Sequence, residues 1–388
     1  TLHDYYDKKK LLNIAKETLK NRLPSIIVVT SDLAPGGGQV FSIRLANAWK
    51  RIGGEVILLN VNIYPSHPEV LKKIDKNIKV FNSSEIDLKE ICNVYGTDII
   101  HSSIWWADKY VHENITKLPE KVKWVLTMHG CYETLVENLE IDKSFLSFFQ
   151  KMQYEVNHWV YIAEKNKLAF QLTSEPENLS KVFNGYEYEA PKELSEKSIG
   201  IRKNSFVFCL VSRAMESKGW IVACEAIKEL NIMGYTFDLV LIGDGEAVDI
   251  VKENYDSDYI HLTGQISNVE DYVAIADVGI LPSSFIGESM PLVLIEYMAQ
   301  GKPMISTNVG EIVNMTTDEE GDGALILKLI EGKVQVDDLS EAMVRIYENK
   351  ELYKSLSYNS KRLFQVFDMK EMIDAYKNIY KDILNTQV

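Results

Sequence analysis

Two series of short apolar runs, each run followed by glycine or polar residues and then a helical pattern, constrain this chain more than any other feature. The first series opens at 25–30 (Ser-Ile-Ile-Val-Val-Thr), passes through the loop Ala34-Pro35-Gly36-Gly37-Gly38-Gln39 and a helix over 40–51, and resumes in 53–60. Strands covered on both faces need such runs without polar alternation, so a parallel sheet flanked by helices is expected. Further strands are expected at 98–101 and 122–128, each ending near a polar or aromatic residue at the edge where ligands gather. A second series starts at 205–211 and continues at 237–242, 259–262, 278–281 and 303–306. The chain therefore reads as α/β with two doubly wound, Rossmann-like domains, and its 388 residues with 46% hydrophobic content suffice for two cores. The charged stretch 186–203, with Pro191 and little apolar periodicity, is the expected linker.

Composition removes several function classes. A net charge of -14 does not supply the basic face that nucleic acid requires, so any phosphate site must be local. Cys92, Cys131, Cys209 and Cys224 form neither a CxxC pair nor a grouping with histidines, so they read as core thiols of a reducing compartment, and no metal is expected. The chain has no uncharged apolar run of spanning length and no signal-peptide pattern, which places the expectation in the cytoplasm. Residues 1–22 carry six basic and three acidic side chains, with Leu11, Leu12, Ala15 and Leu19 at helical spacing. This arm (1–24) can lie peripherally on the anionic inner face of a membrane; packing on the domain, or linking to an upstream domain, needs no lipid and is preferred. The chain opens at Thr1, which is expected of a processed product or an excerpt of something longer.

The stretch Gly287-Glu288-Ser289-Met290-Pro291-Leu292-Val293-Leu294-Ile295-Glu296 sets two acids around an apparent helix start. Pro291 suits a first helical turn and Ser289 can cap it, leaving backbone N–H groups to face an anion. Glu288 then precedes the helix and Glu296 lies more than a turn inside it, so the two carboxylates can touch different parts of one ligand. Two acids at this spacing also occur on solvated helices as plain surface charge. The flanks Ala276-Asp277-Val278-Gly279-Ile280-Leu281-Pro282-Ser283-Ser284 and Gly301-Lys302-Pro303-Met304-Ile305-Ser306-Thr307-Asn308-Val309-Gly310 narrow the choice. Together these segments resemble the retaining glycosyltransferases of family 4, the group 1 glycosyl transferases, whose E-x7-E motif binds the donor sugar and the ribose of a nucleoside diphosphate sugar.

The resemblance runs from Ser25 to Leu384 and implies the GT-B fold: two Rossmann-like domains facing an interdomain cleft, with a C-terminal helix crossing back to the N-terminal domain. The implied boundaries are an acceptor domain over 25–188, a donor domain over 189–366 and a crossover helix over 367–388. Arg213-Ala214-Met215-Glu216-Ser217-Lys218-Gly219 resembles the family's R-x4-K-G motif, whose Arg and Lys grip the diphosphate, although alone these are two cations near a helix start. The glycine loop resembles the family's P-G-G-x-[QE] element, which points to Gly37 for donor phosphate contact with Gly38 at the variable position. It lacks G-x-G-x-x-G and G-x4-G-K-[ST], which counts against NAD and ATP.

His129, after the run ending at Met128, reads either as a structural histidine or, by resemblance, as the one that contacts the transferred sugar. Leu262-Thr263-Gly264-Gln265-Ile266 lies where the family's backbone meets the nucleobase, implicating Gln265 and Ile266 without identifying the base. Gly243-Asp244-Gly245 is read as architectural, and Asp256-Ser257-Asp258 as a solvated turn rather than a metal motif. Trp105 and Trp106 are taken to lie on an extended segment with one indole exposed to stack on an acceptor sugar, and Tyr132 is a further acceptor candidate; packing explains all three equally.

The resemblance thus implies a retaining transfer from a nucleoside diphosphate sugar to a saccharide, lipid-linked or small-molecule acceptor, in bacterial glycan or glycoconjugate synthesis, with neither cofactor nor metal. His129 and Glu288 would serve the reacting sugar; Arg213, Lys218 and the amides around Met290, Pro291 and Leu292 would hold the diphosphate. A nucleotide-sugar epimerase and a non-catalytic binding module on the same fold are the alternatives, distinguished by acceptor-independent turnover and by loss of site residues.

Overall fold

The computed structural model describes residues 22–129, 132, 143–192, 194 and 199–385. The basic arm expected over 1–24 lies outside the described residues up to residue 21, as does Cys131. The first sheet contains Ile26–Thr30 (β1), Val56–Asn60 (β2), Lys79–Asn82 (β3), Ile99–Ser103 (β4), Lys123–Met128 (β5), His158–Tyr161 (β6) and Leu179–Lys181 (β7). All of its pairings are parallel, in the order β3-β2-β1-β4-β5-β6-β7. β1, β2 and β4 are buried along their whole length, which the apolar runs of β1 and β2 require; β4 buries His101, Ser102 and Ser103 as well.

The second sheet repeats the plan. Phe206–Val211 (β8), Phe237–Ile242 (β9), Ile260–Gly264 (β10), Val278–Leu281 (β11) and Met304–Thr307 (β12) join in the order β10-β9-β8-β11-β12-β15. A hairpin of Thr317–Asp318 (β13) and Gly321–Asp322 (β14) precedes Ala324–Leu327 (β15). Strand order reverses between β1 and β4 in one sheet and between β8 and β11 in the other, and a crevice opens beyond the strand ends at each reversal. Two Rossmann-like domains in this arrangement make the GT-B fold.

The helix Met369–Asn385 crosses back onto the first domain. Its residues Met369, Met372, Ile373, Tyr376, Ile379 and Tyr380 join a core with Val28, Phe41, Trp49 and Val125. Where the chain crosses, Tyr186 N–H donates to the Phe367 carbonyl at 2.8 Å and Met369 N–H to the Tyr186 carbonyl at 3.1 Å. Deep inside, His101 bridges Tyr380 Oη (2.5 Å from Nδ1) and Thr127 Oγ1 (2.8 Å from Nε2), and Tyr376 Oη meets Thr127 Oγ1 at 2.9 Å. Burial lowers the His101 pKa to about 3, with His129 adding to the effect, so the ring is neutral and offers one donor and one acceptor to these two hydroxyls.

Two local expectations need correction. The helix after β1 is Gly37–Arg51, so Gly37 and Gly38 lie in its first turn and not in a loop ahead of it. Trp105 and Trp106 open the helix Trp105–Ile115 and are not extended; the polar and apolar faces of a helix, rather than the pleat of a strand, separate them. No helix among the described residues is long and apolar enough to cross a membrane.

Because Tyr380 closes the hydrogen-bonding needs of a buried imidazole, Tyr380→Phe is expected to destabilise the protein by about 1–3 kcal/mol. Denaturant unfolding of the two proteins measures this, and an unchanged unfolding free energy would show that the bond contributes nothing.

Candidate active site

In the second domain the site is built where β8 and β11 end. After β11 the chain turns through Pro282, Ser283 and Ser284 to the helix Leu292–Ala299. Ser283 Oγ donates to Glu288 Oε2 at 3.0 Å, and Lys218 Nζ pairs with the same oxygen from the turn Glu216–Lys218. Both charged groups are buried. The Lys218 ammonium also lies 4.5 Å from the centre of the Phe285 ring, with the Arg213 guanidinium 5.8 Å from it. Arg213 is exposed and forms no ion pair among the described residues.

A second segment holds Glu288 from behind. Gly310 has φ +59°, and a Cβ there would fall 2.3 Å from the Glu288 carbonyl oxygen, so only glycine permits this approach. Next to it Glu311 N–H donates to the Ser289 carbonyl at 2.7 Å. The Glu311 carboxylate, 2% exposed, reaches the first domain: it accepts from Glu164 N–H at 3.0 Å and pairs with Lys181.

The capping expectation fails at Ser289. Pro291 occupies the N-cap itself and no side chain caps the helix, because the helix starts at Leu292 and Ser289 falls too far ahead of its first free N–H groups. Ser289 Oγ is instead buried without a partner. Met290 is buried, Leu292 is half-buried, and Glu296 is the fifth helical residue. Arg44, from the first domain's helix Gly37–Arg51, meets Glu296 Oε1 through Nη2 at 2.5 Å. Gln265 and Ile266 follow β10 at half-buried positions.

The first domain supplies His129 at the end of β5. The ring is buried, lies 4.3 Å from the Phe41 ring centre, and its Nε2 has no partner among the described residues. Burial lowers its pKa to about 3, with Asn184 beside it opposing the shift. The imidazole is therefore neutral. Gly37 is exposed in open space, whereas a Cβ on Gly38 would come within 2.4 Å of Ile104 Cγ1 and 3.4 Å of His129 Cβ. Ile104 itself has φ +76°, an outlying conformation for a β-branched residue.

Asn184 escaped the sequence reading. Its side-chain amide is buried and unpartnered, while its backbone N–H meets Met290 Sδ at 3.4 Å, which ties the linker to the donor segment. The Asn184-Gly185 dipeptide after β7 was the available signal. Arg44 gave no signal, since a helical arginine reads as surface charge. His129 Nε2, the Asn184 amide and Ser289 Oγ are thus buried polar groups at the facing strand ends without a partner among the described residues. Native proteins complete such groups with ordered water, an ion or a bound ligand.

The acceptor candidates separate. Tyr132 is 1% exposed and its hydroxyl donates to the buried Asp108 carboxyl, which also accepts from Ser102 Oγ at 2.5 Å. It has no free face for stacking, and that expectation is withdrawn. Trp105 packs edge-on against Tyr132 and Phe148, each at 5.4 Å, leaving Trp106, 43% exposed, as the accessible indole. Among the described residues no cluster of three or more His, Cys, Asp or Glu side chains is placed to hold a metal.

Residues 191–363, covering β8 to β15 and all of the donor-side segments above, match the family described as glycosyl transferases group 1. Over that stretch the chain is similar to this family. An Escherichia coli UDP-Gal:alpha-D-GlcNAc-diphosphoundecaprenol alpha-1,3-galactosyltransferase is 30% identical over 228 residues, which is 55% of this chain and 57% of that protein. The chain thus aligns with just over half of that relative's length. N-acetyl-alpha-D-glucosaminyl L-malate synthase of Bacillus anthracis is 24% identical over 68% of this chain and 69% of its own. Among solved structures, Anabaena HepE in complex with UDP and glucose superposes with a TM-score of 0.73 at 16% identity, covering 94% of this chain and all of that one. At such identity the likeness speaks for the fold alone.

Two outcomes follow from this geometry. Gly310→Ala is expected to displace the Glu288–Ser289 backbone and to cost about 1–3 kcal/mol of stability, a range set by overpacking, read by thermal and denaturant unfolding. His129 binds a proton near pH 3 when folded against 6.5 ordinarily, so the unfolded chain protonates first. Its contribution is complete above about pH 6.5 and is lost as pH falls toward 3. The unfolding free energy of His129→Gln is therefore expected to decline less steeply across that window, by up to about 1.4 kcal/mol per pH unit; parallel slopes would place the titration elsewhere.

Proposed function

We propose that this chain is a retaining glycosyltransferase that moves a sugar from a nucleoside diphosphate sugar, with UDP as the nucleotide, to a hydroxyl of a saccharide, lipid-linked or small-molecule acceptor. The observation that carries the reading is the buried Lys218–Glu288 pair with unpartnered polar groups of both domains at the facing strand ends. Negative charge grows on the leaving diphosphate as the glycosidic bond breaks; Arg213, Lys218 and the free N–H groups at the start of Leu292–Ala299 oppose it without a metal. Glu288 orients the donor sugar. Its carboxylate is engaged by Lys218 and Ser283, which suits a positioning role better than nucleophilic attack. Glu296 holds the ribose hydroxyls, and neutral His129, with Asn184 and Ser289, offers hydrogen bonds to the transferred sugar.

In this scheme the acceptor hydroxyl attacks the anomeric carbon on the face from which the diphosphate departs, and a departing phosphate oxygen takes the acceptor proton. The new C–O bond replaces the old one with the same configuration. The choice of UDP draws on the names of the Escherichia coli relative and the HepE complex. A cytoplasmic setting is supported by the buried thiols Cys92, Cys209 and Cys224.

Thermal unfolding with UDP, GDP and ADP in metal-free buffer tests the donor site. UDP is expected to stabilise the protein by about 2.7 kcal/mol at a hundred times its dissociation constant. Arg213→Ala and Glu296→Ala are each expected to reduce the shift. Product formation must require an acceptor and retain the donor's anomeric configuration, read by NMR. No shift with any nucleotide at roughly millimolar concentration would sink the transferase reading, given the mass-action link between binding and stability; turnover without acceptor would favour an epimerase.

A further inference from the structure

Arg44 is a half-buried cation that the scheme above leaves unused. It belongs to the first domain, on the helix that begins at the glycine turn, yet its partner Glu296 belongs to the second, with Nη2 and Oε1 2.5 Å apart. Each side chain is only 17% exposed. The guanidinium lies over the Tyr186 ring, 4.8 Å from its centre, at the point where the chain crosses between the domains. Its other terminal nitrogen, Nη1, is buried and has no partner among the described residues.

This arrangement is poor as a purely structural device. Two charges have been withdrawn from water for one contact, and an apolar side chain over Tyr186 would avoid both the desolvation and the orphaned donor. A planar guanidinium with an unused N–H face instead matches a ligand oxygen. Glu296 has matching spare capacity: its only partner among the described residues is Arg44, on one of its two oxygens, and a carboxylate accepts from several donors at once. The ribose hydroxyls can therefore be added to the pair without displacing the arginine.

We infer that Arg44 is the first domain's contribution to nucleotide binding: it orients the Glu296 carboxylate for the ribose and presents Nη1 to a ribose oxygen, making ribose grip and domain closure a single event. This rests on the assignment of Glu296 to the ribose in the proposed function. Arg44 is a positioning residue, acting through Glu296 and on the nucleotide away from the reacting carbon. A donor that lacks its ribose hydroxyls leaves the second Glu296 oxygen and Arg44 Nη1 without a ligand partner.

The test is calorimetric titration of the full chain with UDP and with 2′,3′-dideoxy-UDP. The wild type is expected to prefer UDP by about tenfold to a hundredfold, the usual range for hydrogen bonds to charged groups. Arg44→Gln is expected to lose most of that preference, and Arg44→Lys, which keeps the charge without the fork, to keep part of it. Arg213→Ala serves as the control: it weakens both nucleotides alike and leaves their ratio intact. Should Arg44→Gln fail to fold, Arg44→Lys carries the same readout. A folded Arg44 variant with the full wild-type preference overturns the inference while leaving the donor site standing. Equal binding of both nucleotides by the wild type removes Glu296 from the ribose and the inference with it, and binding of neither defeats the proposed function itself.

Discussion

Everything in the cleft depends on the docking of the helix Met369–Asn385 into the first domain. Tyr380 stands edge-on to Trp49 at 5.1 Å and its hydroxyl meets His101, while the Tyr376 hydroxyl meets Thr127, which bonds the other nitrogen of His101. A helix that begins at the edge of the second domain and buries aromatic rings in the first makes the domain crossing double, because the linker at Tyr186 is hydrogen-bonded to the returning segment. The two crossings lie side by side, hydrogen-bonded to each other between Tyr186 and the segment Phe367 to Met369. Without that constraint, Arg44 and Glu296 would be unrelated surface charges.

The cleft is also where local rules are broken. Ile104 adopts a left-handed backbone, Lys218 and Glu288 are buried charges, and His129, Asn184 and Ser289 keep polar atoms unpaired. Each of these costs free energy, and the surrounding sheets, with cores closed on both faces, supply the stability that offsets them. Lys218 and Glu288 neutralise one another until a ligand arrives, while exposed Arg213 keeps its charge toward solvent. The resulting surface presents cations without holding two unopposed buried charges.

Pattern served well where burial follows chain order. β9 and β11 lie where their apolar runs put them, and the other strands of the two series differ by a few residues at their ends, because an unbroken apolar run in a parallel sheet has no alternative environment. Pattern served poorly where a residue's surroundings come from far along the chain. Tyr132 looks like an exposed aromatic until Asp108 claims its hydroxyl, and Ser289 looks like a cap until the helix starts at Leu292. Trp105 and Trp106 follow a strand and read as extended, yet they begin a helix.

The sequence by itself determined the two α/β domains and the local segments around Arg213, Lys218, Glu288 and Glu296, since all of these follow from side-chain periodicity and from spacing within a few turns of chain. Tertiary structure alone decided which of those charges are already paired, that Asn184 and Arg44 join the cleft, and that Trp106 rather than Tyr132 is accessible. The physical reason is separation: Arg44 and Glu296 lie 252 residues apart, and no local propensity records a partner that only the crossing helix brings within hydrogen-bonding distance.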